Sequence, residues 1–128
     1  MKEQVEMKDL KEGRYVIIDD EACIIKSISK SKPGKHGAAK ARVDAIGVFD
    51  NQKRSIVGSV ATKIYVPIVE RKNAQVVTIS GNVVQLMDLD DFNTFEIPLP
   101  EEYKDKIKEG DEITYLMALD KVKIDMRM

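Results

Sequence analysis

The sequence predicts an all-β protein that is divided into two small barrels. Runs of β-branched residues recur along the whole chain and are separated by short turn signals. Only one stretch, residues 100–108, has the pattern of a helix. The length of 128 residues is sufficient for two barrels, because domains of about 55–65 residues can fold alone.

The first half of the chain is predicted to form consecutive strands. We expect them at residues 14–18, 22–28, 41–49, 55–61 and 63–66. Asp19, Asp20 and Glu21 separate the first two runs and predict a hairpin turn. In the third run apolar residues alternate with Arg42 and Asp44, which places those two side chains together on the opposite face of the strand.

The second half repeats this organisation after Pro67, which we expect to interrupt the strand ladder. A domain boundary is therefore predicted between residues 1–69 and residues 70–128. Five further strands are expected at residues 75–79, 83–87, 95–97, 112–118 and 122–126. Gly81 lies in a hairpin connection that favours a positive φ. Five strands fit an OB-type barrel.

A single short helix is predicted at residues 100–108. Pro100 stands near its first turn, and Glu101 and Glu102 follow at the positive end of the helix dipole. Lys106 and Lys108 lie near the negative end, and a glycine two residues later provides the stop signal.

Charge is divided unevenly between the two halves. Residues 1–69 carry 13 Lys and Arg against 9 Asp and Glu, a formal charge of +4, whereas residues 70–128 carry 8 against 13, a charge of −5. Cys23 is the only cysteine and lies in an apolar run, so we expect it in the core of a protein without disulfides. No segment approaches the roughly 20 apolar residues of a membrane span, and a cytoplasmic protein with no membrane partner is predicted.

The most informative segment is the basic loop at residues 31–40, Ser-Lys-Pro-Gly-Lys-His-Gly-Ala-Ala-Lys. Residues 22–43 contain six Lys or Arg and no acidic residue, which predicts a contact with nucleic-acid phosphate. Pro33 and Gly34 fit the two central positions of a type II turn. Lys35 is therefore expected just past the apex of a rigid turn, with Gly37 allowing the chain to return.

Other chemistries fit this loop poorly. Gly34 and Lys35 are followed by His36 where a phosphate-binding P-loop requires Ser or Thr, and Ser29 occupies the place of its first glycine. His36 is the only histidine, so no multi-histidine metal site or histidine pair exists. A Schiff-base role for Lys35 would require a desolvated amine, whereas the tip of a basic turn is wet. His36 remains open to two interpretations: an exposed turn residue, or one that stacks on or hydrogen-bonds to a base or ribose.

The loop resembles that of the translation initiation factor 5A family of archaea and eukaryotes, relatives of bacterial elongation factor P. The family pattern is Ser-Lys-(Thr or Pro)-Gly-Lys-His-Gly-x-Ala-Lys, and residues 31–40 meet every fixed position. Further likeness at residues 85–88 and 97–101 extends the resemblance over nearly the whole chain. Pro33 and the short termini resemble archaeal members in particular.

The resemblance implies an SH3-like N-terminal barrel that carries the loop and a C-terminal OB-fold. It also implies that Lys35 is modified by deoxyhypusine synthase, which transfers an aminobutyl group from spermidine, giving deoxyhypusine or, after hydroxylation, hypusine. The implied partners are the ribosome, ribosomal RNA and peptidyl-tRNA, with a role in peptide-bond formation and relief of stalling. The resemblance further implies a factor that is not an enzyme and has no cofactor besides this covalent group.

The residues assigned to RNA or ribosome binding are Lys32, Gly34, Lys35, His36, Gly37, Lys40 and Arg42. Two other interpretations stay open from the residues alone. One is a structural RNA-binding module in which Lys35 is unmodified, and the other is an enzyme that uses Lys35. Because the second half is acidic and has few aromatic residues, we expect it to contact protein or to contact tRNA loosely.

Overall fold

Strands make up nearly all of the regular structure in the computed structural model, which describes residues 2–31 and 39–125. The predicted all-β class is confirmed. The chain divides into two compact units, Met1–Val69 and Glu70–Met128.

The first unit contains six strands. They are β1 (Lys2–Glu6), β2 (Tyr15–Ile18), β3 (Glu21–Ser31), β4 (Lys40–Gly47), β5 (Lys53–Ser59) and β6 (Lys63–Pro67). Strands β2, β3, β4 and β5 form an antiparallel sheet in that order, and β1 pairs with β6 in a separate two-stranded ribbon. A 3-10 helix, Met7–Asp9, follows β1.

The alternation predicted for β4 is present. Ala41, Val43 and Ala45 are buried, whereas Arg42 is exposed and Asp44 is partly exposed. The buried core of this unit consists of Met7, Leu10, Val16, Ile18, Cys23, Ile25, Ala41, Val43 and Ala45. Cys23 is fully buried as expected, and burial raises the pKa of its thiol.

The predicted hairpin turn between β2 and β3 is confirmed. Ile18 pairs with Glu21, so Asp19 and Asp20 form a two-residue connection. Both have positive φ, 53° and 63°, which is the backbone of a type I′ turn and one that Asp tolerates better than most residues.

The second unit contains five strands. They are β7 (Glu70–Ser80), β8 (Val83–Asp88), β9 (Thr94–Pro98), β10 (Glu112–Ala118) and β11 (Lys121–Ile124). Their order in the sheet is β11-β10-β7-β8-β9, and every neighbouring pair is antiparallel. Gly81 in the β7–β8 connection has a φ of 61°, as its position predicted. The core of this unit consists of Ala74, Val76, Val84, Leu86, Ile97, Ile107, Ile113, Tyr115 and Ile124.

The helix predicted at residues 100–108 is wrong in its extent. Only Glu101–Tyr103 form a 3-10 helix, in which Tyr103 and Lys104 donate to carbonyls three residues earlier. Asp105 has a φ of 66°, which an α-helix cannot accommodate. The turn at Asp105 brings Ile107 into the core, where it is 4% exposed, and this burial outweighs the local helix signals. Within residues 2–31 and 39–125, no helix is long and apolar enough to cross a lipid bilayer.

Candidate nucleic-acid interface on the first unit

The basic loop connects the two longest paired strands of the first unit. In the β3–β4 hairpin Ile28 lies opposite Val43, and Ser31 lies opposite Lys40. Eight residues separate Ser31 from Lys40, and residues 32–38 lie outside the described part of the chain. The predictions for Lys32, Gly34, Lys35, His36 and Gly37, including the type II turn, therefore lie outside the described residues.

The C-terminal side of the loop is fixed to the next strand connection. Val60 donates its backbone N–H to the carbonyl of Ala39 at 3.0 Å. Lys40 pairs with Ser31 on one side and with Ser59 of β5 on the other, and its side chain is exposed. The predicted RNA-binding residue Lys40 therefore stands at the base of the loop on a strand that is paired along both edges.

Arg42 lies two residues further along β4, on the side opposite the core, which we call the outer face of β3, β4 and β5. Its Nε donates to both carboxylate oxygens of Asp44, at 3.3 and 3.4 Å, and its side chain is 58% exposed. The structure thus gives this predicted RNA-binding residue a carboxylate partner two positions away. The sequence placed these two side chains on one face, but did not indicate that they are bonded.

Asp44 has two hydroxyl partners in addition to Arg42. It lies opposite Ser27 of β3 and Ser55 of β5, and both hydroxyls donate to its carboxylate. The Ser55 hydrogen bond and then the Arg42 guanidinium lower the pKa of this carboxyl group. Asp44 is consequently ionised and fully engaged at neutral pH.

The far end of the hairpin is held by a second ion pair. Two terminal nitrogens of Arg54 donate to the two oxygens of Asp50, at 3.0 and 2.8 Å. This bidentate contact lowers the pKa of Asp50 to about 2. Gly47 makes room for it, because a Cβ at Gly47 would lie 1.9 Å from Oδ1 of Asp50.

The aromatic residues of the second unit are mostly unavailable for stacking on bases. Tyr115 is 3% exposed and packs against Phe95, with 5.2 Å between the ring centroids. Tyr103 packs against the same core, and Phe92 alone among the described aromatics of this unit is highly exposed, at 67%. An OB-type surface for single-stranded RNA usually presents several such rings.

The buried carboxylate of Asp88 in the second unit is bonded to residues of its own unit and stabilises the fold. Tyr115 donates its hydroxyl to Oδ2 of Asp88, and Nζ of Lys72 lies 3.2 Å from the same oxygen. The backbone N–H groups of Asp90 and Asp91 donate to Oδ1 of Asp88. These bonds, the Tyr115 hydroxyl first, lower the pKa of the Asp88 carboxyl group to about 2. Burial, with the neighbouring Asp88, raises the pKa of Tyr115.

The described residues contain no group of three or more His, Cys, Asp or Glu side chains arranged to hold a metal ion.

Comparison with known proteins agrees with this architecture. Residues 3–64 match the family model "Translation initiation factor 5A-like, N-terminal", and residues 68–126 match "Eukaryotic elongation factor 5A hypusine, DNA-binding OB fold". The chain belongs to the translation initiation factor 5A family. The first match lies within the unit Met1–Val69, and the second begins two residues before the unit Glu70–Met128 and otherwise lies within it.

Curated archaeal relatives of this family match along the whole chain. Translation initiation factor 5A of Methanosarcina acetivorans is 75% identical over 127 residues, which cover 99% of either chain. The Archaeoglobus fulgidus protein of the same name is 65% identical over 125 residues, covering 98% of each.

Solved structures of the translation initiation factor 5A family share the fold. Eukaryotic translation initiation factor 5A from Methanococcus jannaschii superimposes with a TM-score of 0.89 at 44% identity, covering 98% of this chain and 93% of that one. A translation initiation factor eif-5a family protein from Naegleria fowleri gives a TM-score of 0.81 at 34% identity, with coverage of 97% and 96%. The predicted combination of an SH3-like barrel and an OB-fold is confirmed.

Proposed function

We propose that this member of the family is a non-enzymatic cytoplasmic factor that binds the ribosome beside peptidyl-tRNA. It promotes peptide-bond formation and relieves stalling through a deoxyhypusine or hypusine side chain at Lys35. The observation that supports this proposal is the ten-residue motif at residues 31–40, which stands between β3 and β4 in a chain of this family.

The modification would be a transfer of an aminobutyl group from spermidine by deoxyhypusine synthase. A new C–N bond forms between the ε-amine of Lys35 and the butyl carbon, while the bond from that carbon to the secondary amine of spermidine breaks. The departing fragment is 1,3-diaminopropane, and the protein gains about 71 Da, the mass of C4H9N. The modified side chain has two protonatable amines instead of one.

The physical gain that we propose is reach combined with positioning. The added group contributes about five C–C or C–N links of about 1.5 Å, which lengthens the arm by roughly 6 Å. Both amines are able to donate charge-assisted hydrogen bonds to phosphate or ribose oxygens. Holding the acceptor end of the tRNA in a reactive geometry then accelerates the reaction by orientation, without any catalytic group on the protein.

The frame beneath the loop supports this role. Ser31 and Lys40 are the last paired residues of the hairpin, and Ala39 is bonded to Val60 on the adjacent connection. A base that is fixed on both sides reduces the conformational entropy lost when the loop enters a narrow RNA cleft.

The test compares modified wild-type protein with a Lys35→Arg variant in a ribosomal peptide-bond assay with a proline-rich message. We expect stimulation only with the modified protein, because Arg retains the charge but lacks the extension. Equal stimulation by both proteins would remove the proposal. Intact-mass measurement of protein from its native source checks the modification separately, since an unaltered mass would favour an RNA-binding module without modification.

Recognition by deoxyhypusine synthase is tested with a Gly34→Ala variant. If the enzyme reads the turn that Pro33 and Gly34 are predicted to form, transfer of labelled aminobutyl groups to this variant will be impaired. Undiminished labelling would show that the synthase reads Lys35 without the geometry of the turn.

A further inference from the structure

The outer face of β3, β4 and β5 carries a groove that the loop does not account for. The groove has a volume of about 370 Å³, and its lining includes Lys26, Arg42, Asp44, Ile46, Lys53 and Ser55. Strands β3 and β4 each contribute one basic side chain to this groove, and β5 contributes Lys53 and Arg54, of which Arg54 is already paired with Asp50.

Lys26 reaches this groove because β3 contains an irregularity. The pairing with β4 shifts between Ile25 and Ser27, so that Lys26 is the extra residue of a β-bulge. A bulge changes the direction in which a side chain leaves the strand. Lys53 arrives from the other edge, where it pairs with Ile46 at the start of β5.

The charges in the groove do not cancel. Asp44 is already engaged by Arg42 and the Ser27 and Ser55 hydroxyls. Among the described residues, no carboxylate lies within ion-pair distance of Lys26 or Lys53. These two ammonium groups are therefore left to attract an anion from outside.

Arg42 also retains unused donors. Only its Nε bonds to Asp44, and its two terminal nitrogens have no hydrogen bond to a described residue. A guanidinium oriented at one nitrogen by a carboxylate presents its remaining N–H groups in a fixed direction. Asp44 is thus a positioning residue, and the open end of Arg42 suits a phosphate oxygen.

We propose that this groove is a further site for the sugar–phosphate backbone of RNA, which shares Arg42 with the predicted RNA-binding residues and adds Lys26 and Lys53 to them. Lys26, Lys53 and the terminal nitrogens of Arg42 bind phosphate oxygens, with serine hydroxyls of the same face as additional partners. Lys40 and Arg42 alternate with buried residues on β4, so the site continues from the base of the loop along the strand. From residue 40 to residue 46 the strand rises about 20 Å at roughly 3.3 Å per residue. The identity of the RNA as tRNA or ribosomal RNA depends on the proposed function.

The test measures how binding to an unmodified tRNA transcript depends on salt. Binding is monitored by fluorescence anisotropy between about 50 and about 200 mM salt. The variant is Lys26→Gln/Lys53→Gln, and the matched control is Lys11→Gln/Lys63→Gln. The control residues are exposed, belong to the same unit and lie outside the groove and the β2–β5 sheet. Both double variants therefore have the same net charge.

We expect the groove variant to lower the magnitude of the slope of log K against log salt by about 1.4 to 1.8, at about 0.7–0.9 per lost phosphate contact. Raising the salt from about 50 to about 200 mM weakens the binding of both proteins. The factor by which the affinity falls should be about sevenfold to twelvefold smaller for the groove variant than for the wild type. The control should keep the wild-type slope. If the slope changes equally in both variants, the effect comes from net charge alone. If the slope of the groove variant is unchanged, no phosphate binds in the groove. Either result overturns the proposal.

The measurement uses recombinant protein with an ordinary lysine at position 35. Failure of the Lys35 modification would leave the difference between the two double variants intact. Conversely, an inactive groove would leave the dependence of peptide-bond formation on Lys35 unaffected. The two proposals are therefore tested independently.

Discussion

Removal of one hydroxyl group from the second unit should destabilise it in a pH-dependent way. In a Tyr115→Phe variant the ring and its contact with Phe95 remain, but the hydrogen bond to the buried Asp88 is lost. Asp88 is 2% exposed, so its carboxylate has no solvent to replace this donor. Leaving a buried acceptor short of a partner costs about 1–3 kcal/mol.

The lowered pKa of Asp88 indicates a cost of similar size. The hydrogen bonds of its native partners outweigh burial and lower the pKa from 3.8 to about 2. At about 1.4 kcal/mol per pKa unit, this corresponds to roughly 2 kcal/mol of stability. Tyr115 is the largest contributor, so we expect the variant to lose between about 1 and 2 kcal/mol near neutral pH. The folded-state pKa is depressed, and this stability is therefore present above about pH 4 and lost as the pH falls through about 2.

The assay is urea unfolding at about pH 7 and about pH 2.5, monitored by NMR signals from the unit that carries the substitution: β7, β8 and β10 for Tyr115→Phe, and β3, β4 and β5 for the control. The control is Tyr65→Phe in the first unit, where the ring is 42% exposed and lies beneath the Lys2 ammonium. That change should stay within about 0.5 kcal/mol. The reasoning is refuted if Tyr115→Phe costs as little as the control, or if its cost is the same at both pH values.

Three further changes test local features of the structure. Gly47→Ala should lower the free energy of unfolding, measured by thermal unfolding, by at least about 2 kcal/mol, because its Cβ would overlap Oδ1 of Asp50. If the overlap is the cause, an added Asp50→Ala substitution should recover part of that loss. Phe92→Gly should be about 1 kcal/mol more stable than Phe92→Ala, since position 92 has a φ of 61°; equal stability of the two would contradict a backbone cost there. The Cys23 thiol should react with iodoacetamide only after unfolding, because it is fully buried and its pKa is raised; fast labelling of native protein, measured by mass spectrometry, would show that the first core opens.

Sequence patterns were sufficient where side chains alternate between core and solvent. β4 shows the alternation that its residues indicate, and β10 has the predicted bounds, Glu112–Ala118. The hairpin turns at Asp19 and Gly81 were also predictable, because their residue types favour positive φ. These features depend on local chemistry, which a single sequence carries.

Two strand segments were missed because backbone pairing, and not hydrophobic pattern, determines them. β1 contains a single apolar residue, Val5, and exists through its pairing with β6. There Lys2 lies opposite Pro67, which closes the ladder at its end instead of interrupting it. Glu70–Asn73 resemble a polar linker, but they form the start of β7, opposite β10, where Arg71 bonds to Asp125 at 2.7 Å.

The groove on the first unit could not be found from the sequence for a related reason. Lys26 and Lys53 are 27 positions apart, and they line one groove only because of the strand register and one bulge. Neither feature leaves a signal in residue order. The loop motif, by contrast, is contiguous and was recognisable as a string of residues.

The pairing of Ser31 with Lys40 at the end of the β3–β4 hairpin also fixes the number of residues in the loop. If one residue were inserted between Ser31 and Lys40, β4 could not absorb it by sliding, because a one-position slip would turn Val43 toward solvent and Arg42 toward the core. Any extra length would have to be taken up within the loop itself. Substitutions along residues 32–39 change its chemistry at constant reach, whereas insertions and deletions change its reach, and we therefore expect the residue count of this segment to be as constant among relatives as its fixed motif positions.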